Sequence, residues 1–140
     1  MRYLLEPEVA GGLGPSTILD TSVHPPVVHR LEYRFDEWFG DEIVESFPCF
    51  LVTSRLALLM DQAGLSGYRF ADLFISKSEQ YEEVGGRSRL PDFKWLQIIG
   101  SGTTTDFSLD SKHRLVVSER ALHVLRQAEL NHCNISETTE

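Results

Sequence analysis

Residues 51–58 read Leu-Val-Thr-Ser-Arg-Leu-Ala-Leu, and residues 115–122 read Leu-Val-Val-Ser-Glu-Arg-Ala-Leu. Each stretch begins with a short apolar run typical of a buried strand, and a hydroxyl residue suited to cap a helix follows it. In the first stretch the next apolar residues recur at the spacing of one helix face: Leu56, Leu59, Met60 and Ala63. The sequence therefore predicts two strand–cap–helix units, with the pair Thr53-Ser54 and the single Ser118 as caps.

The two units match at an offset of 64 residues, with five of the eight positions identical. After a slip of one residue, Gln62-Ala63 also aligns with Gln127-Ala128. Two explanations fit this match: independent convergence of the two segments on a simple unit, and an ancient duplication. The sequence leaves both explanations open.

Outside these units the pattern is mainly that of strands. Residues 27–36 alternate between apolar and polar, as a half-buried strand does. Residues 69–76 and 93–99 are also predicted to be strands, and we expect 69–76 to be buried on both faces over most of its length. We therefore predict an α+β fold, with a mainly antiparallel β framework and two short amphipathic helices.

The length of 140 residues fits a single domain covering residues 1–140. Residues 1–26 contain the breakers Gly11-Gly12-Leu13-Gly14-Pro15 and His24-Pro25-Pro26, so we expect an irregular N-terminal segment. Residues 136–140 are expected to be a frayed acidic tail. Neither a signal-peptide core nor a run of about 18 apolar residues occurs, which favours a soluble cytoplasmic protein.

The net charge of −8, from 13 basic and 21 acidic residues, bounds the class of partner. Binding to nucleic acid or to an anionic membrane needs surplus lysine and arginine, so we expect neither partner. An acidic domain is instead suited to a basic protein.

Motifs for catalysis, metal binding or cofactor binding are missing from the sequence. Ser101 lies between two glycines but lacks the strand–turn–helix context of a nucleophile. Cys49 has apolar neighbours, which would raise rather than lower the pKa of a thiol. The histidines match no ligand spacing, although His123, His132 and Cys133 could approach one another after the second helix. We predict no enzyme activity, no metal and no cofactor.

Acidic residues cluster around aromatic residues in two places, at residues 36–42 and 78–83. Carboxylates steer a basic partner, while tyrosine and tryptophan supply contact area. An ordinary solvated loop with its aromatic side chain turned inward is the alternative for each cluster. The predicted partner-binding residues are Asp36, Glu37, Trp38, Asp41, Glu42, Glu79, Tyr81, Glu82 and Glu83.

The order of motifs along residues 43–135 resembles that of small bacterial immunity proteins associated with polymorphic toxin systems. The similarity rests on the following motifs: Pro48-x-Phe50-Leu51-Val52-Thr53-Ser54, Gly67-Tyr68-Arg69-Phe70, Leu90-Pro91-x-Phe93-x-Trp95-Leu96, Asp106-Phe107 and Leu115-Val116-Val117-Ser118. The resemblance implies a protein that binds and blocks a cognate toxin in the producing cell. The alternative is a small-molecule-binding domain or an enzyme whose pocket is built from residues scattered along the sequence.

Overall fold

The computed structural model describes residues 1–85 and 89–139. The two α-helices are α1 (Ser54–Gln62) and α2 (Glu119–Leu125), and a π-helical turn spans Tyr81–Gly85. The strands are β1 (Arg2–Glu6), β2 (Gly11–Leu13), β3 (Ile18–Asp20), β4 (Val27–Arg30), β5 (Glu32–Phe35), β6 (Ile43–Ser46), β7 (Cys49–Thr53), β8 (Tyr68–Ala71), β9 (Phe74–Lys77), β10 (Phe93–Ile98), β11 (Phe107–Leu109), β12 (Leu115–Ser118) and β13 (Asn134–Thr138). The predicted α+β class is confirmed.

Two four-stranded antiparallel sheets have the same construction. One has the order β6-β7-β10-β8 and the other the order β11-β12-β1-β13. In each sheet a hairpin leads into a helix, and the next strand after the helix lies at the far edge of the same sheet. The third place in the strand order, between the hairpin and the far edge, is filled by β10 in one sheet and by the N-terminal strand β1 in the other. The sequence echo is therefore part of a larger repeated unit.

The strand registers correct the offset between the units. Thr53 pairs with Phe93 and Ser118 pairs with Arg2, so Ser118, 65 positions after Thr53, is its counterpart. The same offset of 65 relates Ala71 on β8 to Ser136 on β13. The sequence identities at an offset of 64 are therefore one residue out of step with the structural correspondence of 65, because apolar residues in a buried strand are interchangeable whereas the cap position is fixed.

Both helices begin at the predicted hydroxyl residues. The Leu56 N–H donates to Thr53 Oγ1 at 3.2 Å, and the Ala121 N–H donates to Ser118 Oγ at 3.1 Å. Thr53, rather than Ser54, is the residue that caps α1. Each cap hydroxyl also donates to a carboxylate, Thr53 to Glu42 and Ser118 to Asp106.

Replacing either cap by alanine is expected to lower the free energy of unfolding by about 1–2 kcal/mol, because a helix N–H and a carboxylate each lose a partner. Ser54→Ala is the matched control, with an expected change within about 0.5 kcal/mol. Urea unfolding measures all three variants. Equal losses in Thr53→Ala and Ser54→Ala would contradict the assignment of Thr53 as the cap.

The sheet β6-β7-β10-β8 lies between two hydrophobic cores. Phe50 and Val52 on β7 belong to the core shared with α1, α2 and the second four-stranded sheet. The alternate residues Cys49 and Leu51 belong to the other core. Side chains alternate between the two faces of a strand, so a strand with a core on each side is apolar throughout. This explains the continuous apolar run that the sequence shows at β7.

A third sheet, of order β2-β5-β9, covers the second core. Strands β2 and β5 are antiparallel, and β5 and β9 are parallel. The strand predicted at residues 27–36 divides at Leu31 into β4, which forms a hairpin with β3, and β5. The strand predicted at 69–76 divides into β8 and β9, which join different sheets. Phe74 on β9 is 53% exposed, so the expectation of burial on both faces was wrong there.

The two chain ends also differ from the prediction. Residues 1–26 contain β1, β2 and β3 and are not irregular. Residues 136–138 are not frayed, because β13 pairs with β1 over five residue pairs, from Arg2–Thr138 to Glu6–Asn134. Residue 140 lies outside the described residues. Within the described part of the chain, no helix has the length and apolar character needed to cross a membrane.

Candidate functional site

The parallel pairing of β5 with β9 brings the two predicted acidic clusters to the same end of one sheet. Phe35, the last residue of β5, is in register with Lys77, the last residue of β9. The Ser78 N–H donates to the Phe35 carbonyl oxygen at 2.9 Å, so the two segments that follow β5 and β9 leave the sheet side by side. The acidic residues that follow these two strands are Asp36, Glu37, Glu79, Glu82 and Glu83. We call this group the acidic end. Asp36 and Glu37 are half-buried, and the three glutamates from the second cluster are exposed.

Tyr81 is not a surface contact of this end. Its side chain is 1% exposed and packs in the second core. The Lys77 ammonium lies 5.3 Å from the centroid of its ring. The alternative in which the aromatic side chain turns inward therefore applies to Tyr81. Its buried ring anchors the turn that carries Glu82 and Glu83.

Asp41 and Glu42 are also buried, at 0% and 7% exposed, so they are not part of an exposed acidic face. Asp41 Oδ2 accepts a hydrogen bond from the His132 N–H at 2.8 Å, and Asp41 Oδ1 lies 3.0 Å from His132 Nδ1. Glu42 accepts hydrogen bonds from Thr53 Oγ1, from Arg55 Nε and Nη2, and from the Glu129 N–H, at 2.6–3.0 Å. Their partners, not solvent, satisfy these carboxylates.

Asp106 occupies in the second unit the place that Glu42 has in the first. It accepts hydrogen bonds from Ser118 Oγ at 2.6 Å, from Arg120 Nη2 at 2.8 Å and from the Ser66 N–H at 3.0 Å. Arg120 also donates to the carbonyl oxygens of Ala63 and Gly64, at the end of α1. Arg55 likewise donates to the Gln127 carbonyl oxygen, beyond the end of α2. The two arginines, which stand 65 positions apart, thus tie each helix start to the other helix end.

Hydrogen bonding controls the ionisation of both carboxyl groups. Burial alone would raise the pKa of Asp106, but the hydrogen bonds from Arg120, Ser118 and Ser66 lower it to about 2. Burial likewise opposes ionisation of Glu42, while the bonds from Arg55, Glu129 and Thr53 bring its pKa below the usual value. Both groups are therefore charged at neutral pH and have a structural role.

Trp38 is half-buried and packs against the second core. Its indole ring lies nearly perpendicular to the Phe93 ring, with centroids 6.0 Å apart, and its Nε1–H donates to the Asp41 carbonyl oxygen at 2.9 Å. Trp38 also lines a cleft of about 360 Å³ beside the start of α1, which we call the Trp38 cleft. Three carboxylate residues line the same cleft: Glu42, Asp92 and Glu129.

Glu8, Asp41 and His132 form a group that sequence reasoning missed. One potential ligand atom from each residue lies within 4.8 Å of the others. The oxygens of Glu8 already accept the N–H groups of Phe39 and Asp41, at 2.8 and 3.2 Å. Because the three residues are far apart in sequence, no spacing could have indicated them. Their hydrogen bonds join the chain after β1, the segment before β6 and the segment before β13.

The nucleophiles considered from the sequence lie in different surroundings. Cys49 is 2% exposed, and burial raises the pKa of its thiol to about 12. Burial also raises the pKa of Cys133 to about 12. Both thiols are thus protonated at neutral pH and are poor nucleophiles. Ser101 and His123 are exposed, the former after β10 and the latter on α2.

The comparison of this chain with protein-family models and with curated proteins finds no match.

Proposed function

We propose that this protein is a non-enzymatic binding domain, an immunity protein that binds and neutralises a cognate bacterial toxin in the cytoplasm. The observation that carries the proposal is the acidic end, where two acidic segments that are distant in sequence leave the same end of one sheet. The buried side chains of Phe35 and Tyr81 support this end from within the second core.

The chemistry of the acidic end suits a basic protein partner. Glu79, Glu82 and Glu83 are exposed and carry like charges on a chain of net charge −8. A toxin that acts on nucleic acid needs surplus lysine and arginine to bind phosphate, so such a toxin is expected to be basic. Opposite potentials on two partners raise the association rate by steering their encounter.

The charge-reversed variant Glu79→Lys, Glu82→Lys, Glu83→Lys tests the proposal. We expect its association rate with a cognate toxin domain, sought first among the products of neighbouring genes, to fall about 10–100-fold at low salt. The salt dependence should weaken and the dissociation rate should change little. Stopped-flow or surface-plasmon measurements at several salt concentrations give both rates, and co-expression with the toxin reports growth rescue.

A matched control reverses three exposed acidic residues away from the acidic end, Glu6, Asp72 and Glu137. Asp72 precedes β9, whereas the acidic end follows it. The control changes the net charge equally, so a slower association confined to the first variant locates the steering surface. Equal rates in both variants would show that only net charge matters, and failure of the wild type to rescue growth would contradict the proposed function for that toxin.

A further inference from the structure

The Trp38 cleft adjoins the acidic end through the chain, because Trp38 directly follows Asp36 and Glu37. Its volume of about 360 Å³ is at the lower end of small-ligand pockets. It is bounded on another side by the segment 91–92, where the Asp92 carbonyl oxygen accepts the Ser54 N–H at 2.9 Å. The walls thus belong to hydrogen-bonded segments, which makes the cleft a preformed feature.

The orientation of Trp38 is fixed by contacts on the core side. The hydrogen bond from its Nε1–H to the Asp41 carbonyl oxygen and the perpendicular contact with the Phe93 ring hold the indole ring in one position. Among aromatic side chains, the indole ring of tryptophan attracts a cation over its face most strongly.

The charged residues of the cleft leave an excess of negative charge. Arg55 is neutralised by Glu42, with N–O distances of 2.6 and 3.0 Å. Asp92 and Glu129 are both exposed, and over residues 1–85 and 89–139 the Asp92 carboxylate has no hydrogen-bond or ion-pair partner. The start of α1 contributes about half a positive charge, which is less than these two carboxylates contribute.

We propose that the Trp38 cleft receives an arginine side chain of the protein partner. A guanidinium is planar, so it stacks on the indole ring while its N–H groups donate to Asp92 and Glu129. Lysine offers a compact charge without the planar fork and fits this combination less well. The inference rests on the proposed binding of a basic protein and adds a specific contact to the steering surface.

The probe is N-acetyl-arginine amide, and N-acetyl-citrulline amide is its uncharged match in shape. In ¹H–¹⁵N NMR titrations we expect the arginine probe to shift the Trp38 indole signal and the Ser54 amide signal, with a dissociation constant in the millimolar range, about what a fragment of this size reaches. The citrulline probe should bind at least about tenfold more weakly. Trp38→Phe assigns the indole signal, because Trp95 supplies the second one.

Asp92→Asn should weaken binding of the arginine probe at least about fivefold, with Asp72→Asn as the exposed control that leaves it unchanged. Asp92 is exposed and its structural bond comes from the main chain, so both variants should retain the melting temperature of the wild type. Equal shifts from the arginine and citrulline probes, or none from either, would overturn the inference. So would an unchanged affinity in Asp92→Asn.

The toxin itself separates this inference from the proposed function. If reversal of Glu79, Glu82 and Glu83 slows association but Asp92→Asn leaves the toxin's dissociation rate unchanged, the arginine subsite is wrong and the proposed function stands. If the arginine probe binds as expected but no toxin does, the cleft stands as a cation site and the proposed function fails.

Discussion

The double variant Asp41→Lys, Glu42→Lys is expected not to fold. Both carboxylates are buried, and their hydrogen-bond donors include Arg55, His132 and the Glu129 N–H. Lysine at these positions would place positively charged ammonium groups next to hydrogen-bond donors that need an acceptor, so both sets of groups would lack partners. Breaking a buried charge pair costs about 3–5 kcal/mol, so the double change removes about as much free energy as a domain of this size has in total. Near-ultraviolet circular dichroism and urea unfolding should show no cooperative transition.

The control for this variant is Glu82→Lys, Glu83→Lys, which makes the same change in net charge at exposed positions. Its free energy of unfolding should change by about 0.5 kcal/mol or less per residue. A cooperative unfolding transition of near wild-type stability in the Asp41/Glu42 variant would mean that the two acids are on the surface.

Asp106→Asn is expected to lower the free energy of unfolding by about 3 kcal/mol at pH 7. The asparagine side chain lacks the negative charge to which Arg120 and Ser118 donate hydrogen bonds. Its NH₂ group is itself a donor and would face these donors where the carboxylate had an acceptor oxygen. Asp72→Asn, an exposed exchange of the same type, should have little effect.

The pH dependence of this loss follows from the low pKa of Asp106. A carboxyl group with a folded-state pKa of about 2 contributes its stability above the unfolded pKa of about 3.9. That contribution disappears as the pH falls through the folded value. The stabilities of wild type and Asp106→Asn should therefore begin to converge below about pH 4 and become similar near pH 2. A constant difference from pH 7 to pH 3 would show that Asp106 is not the stabilising anion.

Local patterns predicted the two strand–cap–helix units because each depends on neighbours in the sequence. The cap at Ser118 needs only the N–H of Ala121, three residues away. The same local approach failed for β13, whose polar sequence resembles a tail. It is a strand because β1, from the other end of the chain, supplies its hydrogen-bond partners.

The candidate site was predicted in composition but not in geometry. Exposure was correct for Glu79, Glu82 and Glu83, which lie on a turn with acidic neighbours. Glu42 is buried instead, because Arg55 at 13 residues and Glu129 at 87 residues along the chain supply its hydrogen-bond donors. A carboxylate is buried only where such donors replace water, and no local pattern contains them.

The sequence by itself determined the α+β class, the helix starts, the apolar interior of β7 and the excess of negative charge. These properties depend on side-chain period, capping chemistry and composition, which act over a few residues. Only the tertiary structure decided that the two acidic segments meet at one sheet end, that Asp41, Glu42 and Tyr81 are interior, and that the N-terminal strand completes the second sheet. The physical reason is that strand pairing and carboxylate burial depend on partners distant in sequence, whose positions exist only once the chain has folded.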